Sequence, residues 1–221
     1  MAQSLSPALQ SAALDTTITK EAFSMGLLYL IRHPHTQIDL NVPAQTWGLS
    51  DKGREQVADL LEAPFWEHVH TIYPSREFKA ITAAKEAALR YEIPVIPRPA
   101  LGEVDRTAYT APDQEAYQAA VAAFFAQPEQ NPFGWETAAA ARQRFQRELD
   151  QIFSWHDADQ SVAIITHGLV LTVAIAALRN QPSTLDDWQA IGFAAVAAVD
   201  RATMQPLTGF MTAPYAGLPR P

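Results

Sequence analysis

Leu27-Leu28-Tyr29-Leu30-Ile31-Arg32-His33 and Val162-Ala163-Ile164-Ile165-Thr166-His167-Gly168 decide the fold of this chain. Each is an unbroken apolar run that ends in a histidine. Continuous rather than alternating apolar character marks strands covered on both faces, as in parallel sheets flanked by helices. Val69 to Tyr73 reads as a third strand, Val95-Ile96 as a fourth and Phe193 to Val199 as a last one. Helical segments fall near 51–63 and 76–90. Later ones are marked by Tyr117, Ala120, Val121, Phe124 and Phe125, by Phe145, Leu149, Ile152 and Phe153, and by the nearly all-apolar Leu169 to Leu178. Strand and helix alternate, so the expected fold class is α/β, a three-layer α/β/α sandwich with a mostly parallel sheet.

In open α/β sheets, ligands bind beyond the carboxyl ends of the strands. Arg32-His33 and Thr166-His167 both stand at such an end, so the two imidazoles are expected to face one crevice. Bulk properties narrow the ligand. With 221 residues, 48% apolar composition and no cysteine, the chain can bury a large core, and disulfides and thiolate metal sites are excluded. No apolar run approaches the roughly 20 residues that cross a bilayer, so no membrane is expected as a partner. A net charge of −8 speaks against nucleic acid. It is compatible with an anionic small molecule held by a few local cations. No His-x-x-x-His pair supports a zinc site, and no metal is expected.

Residues 1–25 are polar and alanine-rich and lack the pattern of a secretory signal, so they read as a loosely attached arm. Met25 before the first strand is a candidate alternative start. A cytoplasmic location follows by default. Residues 26–221 read as one domain, in which 104–136, with Tyr109, Phe133 and Trp135 among prolines, are expected to cover the site as an aromatic-rich insertion.

From about Leu27 to Trp188 the sequence resembles the histidine phosphatase superfamily, which includes the phosphoglycerate mutases. Leu28 to His33 with Thr36 resembles the Arg-His-Gly signature. Leu49-Ser50-Asp51-Lys52-Gly53-Arg54 resembles the start of the following helix, and Ser75 through Ala84 the segment carrying a second cation. Leu101-Gly102-Glu103, Gly134-Trp135-Glu136-Thr137 and Thr166-His167-Gly168 match the remaining motifs in order. The resemblance implies that His33 attacks phosphorus, that Arg32 and His167 bind the phosphoryl oxygens, and that Glu103 moves the proton. Thr36, Lys79 and Arg106 are the expected substrate-binding residues. The partner implied is a small phosphorylated substrate, with no cofactor, and the reaction is phosphomonoester hydrolysis. Mutase-type phosphoryl transfer and a non-catalytic phospholigand or protein-binding domain are the alternatives, and the oligomeric state is open.

The sequence departs from the family pattern. Pro34 replaces a small residue and removes a backbone N–H. Lys79 stands where an arginine is usual, and an ammonium lacks the planar fork, which Arg106, or else Arg76, would restore. Asp39 replaces a usual Asn and is assigned no role. Trp47, Trp66, Trp135 and Trp188 are read as core or rim. Glu136 is read as a helix cap or a backbone or cation holder, and Arg144 as part of a structural ion pair.

Overall fold

The computed structural model describes residues 26–221 except 40, 108–110 and 131–132. The arm, Met25 and Tyr109 therefore lie outside the described residues. Four strands form the sheet: β1 (Leu27–Arg32), β2 (Val69–Pro74), β3 (Ser161–Thr166) and β4 (Val196–Asp200), in the order β2-β3-β1-β4. β1 pairs parallel with β3, which pairs parallel with β2, while β4 runs antiparallel along the edge of β1.

Alternation along the central strands sends side chains into two separate cores. Leu27, Tyr29, Ile31, Ala163 and Ile165 face a cluster with Val57 and Leu60 of α1 (Asp51–Leu61) and Ala80, Ala84 and Ala87 of α2 (Phe78–Tyr91). Leu28, Leu30, Val162 and Ile164 face the other side. There they meet Phe145 and Leu149 of α4 (Ala138–Phe153) and Val170, Leu171 and Ile175 of α5 (Gly168–Leu178). Each fully buried large apolar side chain contributes about 1.5–3 kcal/mol by leaving water. Helices on both faces of a mostly parallel sheet are the α/β/α sandwich expected from the two apolar runs.

A third cluster seats α3 (Gln114–Ala126). Val121 and Phe124 pack with Trp135, Val104 and, from α5, Leu169 and Val173. Helix starts carry the caps their sequences encode. Ser50 accepts from Gly53 N, Asp113 from Ala116 N and Thr137 from Ala140 N, while Thr184 and Asp187 form a capping box on α6 (Leu185–Ala190).

Several expectations shift. Val95-Ile96 is not a full strand. Val95 forms a single parallel bridge to Ile72, because Pro94 and Pro97 lack the N–H groups that would extend the ladder. Phe193 lies in the turn before β4, which begins at Val196. The helix marked by Phe145, Leu149, Ile152 and Phe153 begins at Ala138 behind its cap Thr137, where the sequence places its start. Trp66 and Trp135 are buried, and Trp47 and Trp188 are half-buried. No helix among the described residues is long and apolar enough to cross a membrane.

Candidate active site

Parallel pairing puts Arg32 opposite Thr166, so the residues that follow, His33 and His167, leave the sheet together at its carboxyl edge. Their ring centroids are 5.0 Å apart, and both rings are buried. The backbone N–H of His33 donates to the carbonyl of Thr166 at 2.8 Å, which ties the two strand ends to each other.

His33 Nδ1 lies 2.8 Å from the carbonyl oxygen of Pro34. A carbonyl only accepts, so Nδ1 carries the proton and Nε2 keeps its lone pair. Burial holds this imidazole neutral, well below the usual histidine range. His167, Lys79 and Arg32 reinforce the effect, and the bond to Pro34 opposes it. Proline at this position loses a donor but retains the acceptor that sets the tautomer.

His167 Nε2 is 2.7 Å from Ser75 Oγ and 3.2 Å from Glu77 Oε1. The carboxylate accepts, which places the ring proton on Nε2. Glu77 alone would favour an imidazolium. Burial, aided by Lys79, Arg106, Arg32 and Arg144, outweighs it and keeps the ring neutral, well below the ordinary value.

Arg32 directs Nη1 to the carbonyl of Ile191 and lays its guanidinium 4.2 Å from the centroid of the Phe193 ring. Its Nε is buried with no hydrogen-bond partner among the described residues. Gly168 makes room for it, since a Cβ there would meet Arg32 Cζ at 3.2 Å and Trp188 Nε1 at 2.9 Å. Burial lowers the pKa of Arg32, and the Glu103 carboxylate and Tyr117 work in the opposite direction.

Glu103 follows a 3-10 turn (Pro99–Leu101), and its carboxylate rests on the start of α5. Oε1 accepts from Val170 N and Val104 N, both at 3.0 Å, and Oε2 accepts from Leu169 N at 3.1 Å. Each oxygen has two lone-pair positions, so Oε2 retains one. Arg144 braces this loop from α4 by donating to the carbonyls of Ala100 and Gly102 while pairing with Glu136. Both halves of that reading, the ion pair for Arg144 and a holding role for Glu136, are visible in these contacts.

The remaining sequence candidates divide. Arg106 Nη1 donates to Tyr117 Oη at 2.5 Å, with its guanidinium over the Tyr117 and Trp135 rings. Lys79 is buried and its Nζ is already engaged, 2.6 Å from Glu77 Oε2 and 2.9 Å from the carbonyl of Ala44. Thr36 is buried in the β1–α1 loop and bridges to Leu49, with no hydrogen bond joining its side chain to either site histidine among the described residues. Arg76 and Asp39 are exposed.

Sequence reasoning missed Glu77 and Phe193. Glu77 is only 12% exposed, and it touches His167 and Lys79 and accepts from Glu103 N at 3.2 Å. A usable signal existed, because Ser75 and Glu77 follow β2 at the same carboxyl edge as the histidines.

Residues 28–207 match the histidine phosphatase superfamily, branch 1. No curated protein sequence matches the chain. Among solved structures, mycobacterial glucosyl-3-phosphoglycerate phosphatase with VO3 is similar at 20% identity and a TM-score of 0.65, over 82% of this chain and 96% of that one. Phosphoserine phosphatase from Entamoeba histolytica, in complex with 3-phosphoglyceric acid, reaches a TM-score of 0.69 at 18% identity, over 86% and 99%. Bacillus stearothermophilus YhfR is 24% identical with a TM-score of 0.61, over 85% and 95%. At these identities the likeness is one of fold. With the match running from β1 through β4, this chain belongs to the histidine phosphatase superfamily, branch 1.

Proposed function

We propose that the protein is a phosphomonoesterase that hydrolyses a small phosphorylated metabolite through a phosphohistidine on His33. The observation that carries this reading is the bond from His33 Nδ1–H to the Pro34 carbonyl, which leaves a neutral Nε2 with its lone pair at the crevice. In the first step Nε2 bonds to phosphorus as the bond to the leaving oxygen breaks. That oxygen takes the electron pair and a proton from Glu103, whose Oε2 has a lone-pair position to hold one. In the second step Glu103 takes a proton from water as the water oxygen bonds to phosphorus, and the P–N bond breaks to return His33 and inorganic phosphate.

Charge on the equatorial oxygens is met by Arg32, with Arg106 at the margin, and by the Nε2–H of His167 once it exchanges the Glu77 carboxylate that accepts it in this structure for a phosphoryl oxygen. These groups do the charge work without calling on a metal ion. The phosphatases of similar fold, one with VO3 and one with 3-phosphoglyceric acid, support a small phosphorylated substrate.

A panel of phosphorylated metabolites, assayed for phosphate release with and without chelator, tests the activity, and rapid quench with labelled substrate tests the intermediate. The label should be acid-labile, base-stable and confined to the peptide containing His33. His33→Ala should abolish both label and turnover. Label on His167, or full turnover by His33→Ala, would reject the mechanism.

A further inference from the structure

The turn between α6 and β4 supports Arg32 at three points. The Ile191 carbonyl accepts from Nη1, the centroid of the Phe193 ring lies 4.2 Å from Cζ, and the Ala195 carbonyl accepts from the Arg32 backbone N–H at 2.9 Å. The backbone of this turn is strained. Ala194 has a φ of 56°, in the left-handed region where an L side chain costs energy, and bonds on both sides keep it there. Its N–H donates to the carbonyl of His33 at 3.3 Å, and its own carbonyl accepts from Tyr215 Oη at 2.8 Å. The Phe193 ring is steadied in turn by the His35 imidazole, 5.0 Å away between centroids and tilted by 69°. Gln56 ties the same pair, accepting from His35 N and donating to the Phe193 carbonyl.

This support differs in kind from that of the neighbouring cations. Lys79 and Arg144 are each oriented by a carboxylate, a partner that competes with an incoming anion. Among the described residues no carboxylate lies within ion-pair distance of Arg32. A carbonyl and a ring face orient a guanidinium without a net negative charge. The carbonyl fixes one nitrogen, and the flat contact fixes the plane. We infer that Phe193 is a positioning residue for the reaction, its ring holding the Arg32 guanidinium in the one plane from which it meets the phosphoryl oxygens. The inference rests on the reading of this crevice as a phosphoryl site, and it adds a residue that works through Arg32 rather than on the substrate.

The probe is inorganic phosphate, titrated calorimetrically into the full chain. Phe193→Leu, which fills much of the space without a ring face, should weaken phosphate binding about tenfold, the scale of a desolvated cation–π contact. Phe193→Tyr, which keeps the face, should recover most of that loss. Arg32 meets the group common to all substrates, so Phe193→Leu should lower kcat/KM by a similar factor on alkyl and nitrophenyl phosphates. On an Arg32→Lys background, which keeps the charge without the plane, Phe193→Leu should cost less than it does in wild type. An equal cost there would make Phe193 a packing residue and overturn the inference. A loss that follows the leaving group would set the ring against the organic part of the substrate and overturn it equally. Should Phe193→Leu not fold, Phe193→Met takes its place with the same expectations. Phosphoenzyme on His33 and phosphate binding that are both indifferent to loss of the ring would sink this inference alone. If the wild-type chain binds neither phosphate nor vanadate, the reading of the crevice as a phosphoryl site falls, and the inference with it.

Discussion

Arg144 holds Glu136 edge to edge, its Nε 2.8 Å from Oε1 and its Nη2 2.7 Å from Oε2, and the remaining Nη1 reaches the carbonyls of Ala100 and Gly102. Such a bidentate pair is stronger and more directional than a single contact, and this one joins α4 to the loop that presents Glu103. Arg144→Ala is expected to destabilise the fold by about 2 kcal/mol, because the half-buried Glu136 and two carbonyls lose charged donors. Turnover should fall further than the stability loss explains, through displacement of Glu103. Urea unfolding and steady-state kinetics on the same preparation check this. Arg144→Lys should recover only part of either loss.

Gly53 presents a case in which two rules compete. Alanine within α1 gains up to about 1 kcal/mol of helix propensity over glycine. Its Cβ, however, would lie 2.0 Å from the carbonyl oxygen of His35, a backbone atom that cannot rotate aside. Overpacking of this kind costs about 1–3 kcal/mol, so the clash prevails. Gly53→Ala should lower the melting temperature and also slow phosphate release, because His35 lies on the loop that follows His33.

Acid should weaken the fold through the two site histidines. Both are buried and held neutral, with folded-state values well below 6.5. The unfolded chain therefore binds protons that the folded chain refuses as pH falls below about 6.5, and stability drops by up to about 1.4 kcal/mol per pH unit for each ring. The contribution is complete above the unfolded value and is lost on the acid side, down to the folded value. Thermal unfolding between neutral and mildly acid pH should show this slope, and His33→Asn should reduce it. An unchanged slope would mean that other groups govern acid stability.

Glu103→Gln should separate substrates by leaving group. A poor alkoxide needs a proton in the transition state, whereas a nitrophenolate departs without much help. The amide can accept at its carbonyl but cannot deliver the proton that Oε2 has room for. The expected result is a loss of about 100-fold or more on alkyl phosphates and a far smaller one on aryl phosphates. Equal losses on both would remove Glu103 from the proton-transfer role.

The two apolar runs made the sheet legible because a strand buried on both faces needs no alternation, and Leu28 and Tyr29 bear this out by facing opposite cores. His33 and His167 were legible as a pair because both terminate such strands. Glu77 was not. In sequence it is one charged residue between Arg76 and Phe78 at a helix start, a position that is usually solvated. Only the parallel register of β2 with β3, which sets Pro74 beside Ile165, carries it to His167. Phe193 read as strand because aromatic residues favour strands, yet it lies in a turn and its ring serves Arg32. Lys79 was legible as a cation but not as one already matched by a neighbour two residues earlier.

The apolar cluster beneath α3 has a consequence for how a ligand comes and goes. A flap with its own core could swing away and leave the floor of the crevice untouched. Here the underside of α3 shares Leu169 and Val173 with α5, whose opening residue directly follows His167. Lifting α3 bares the first turn of the helix that holds Glu103 and borders the imidazole. If α3 covers the crevice, as the sequence leads one to expect, admission and discharge would require the cover and the floor to loosen in concert, and the slowest amide exchange along α3 should keep pace with the residence time of whatever the crevice holds.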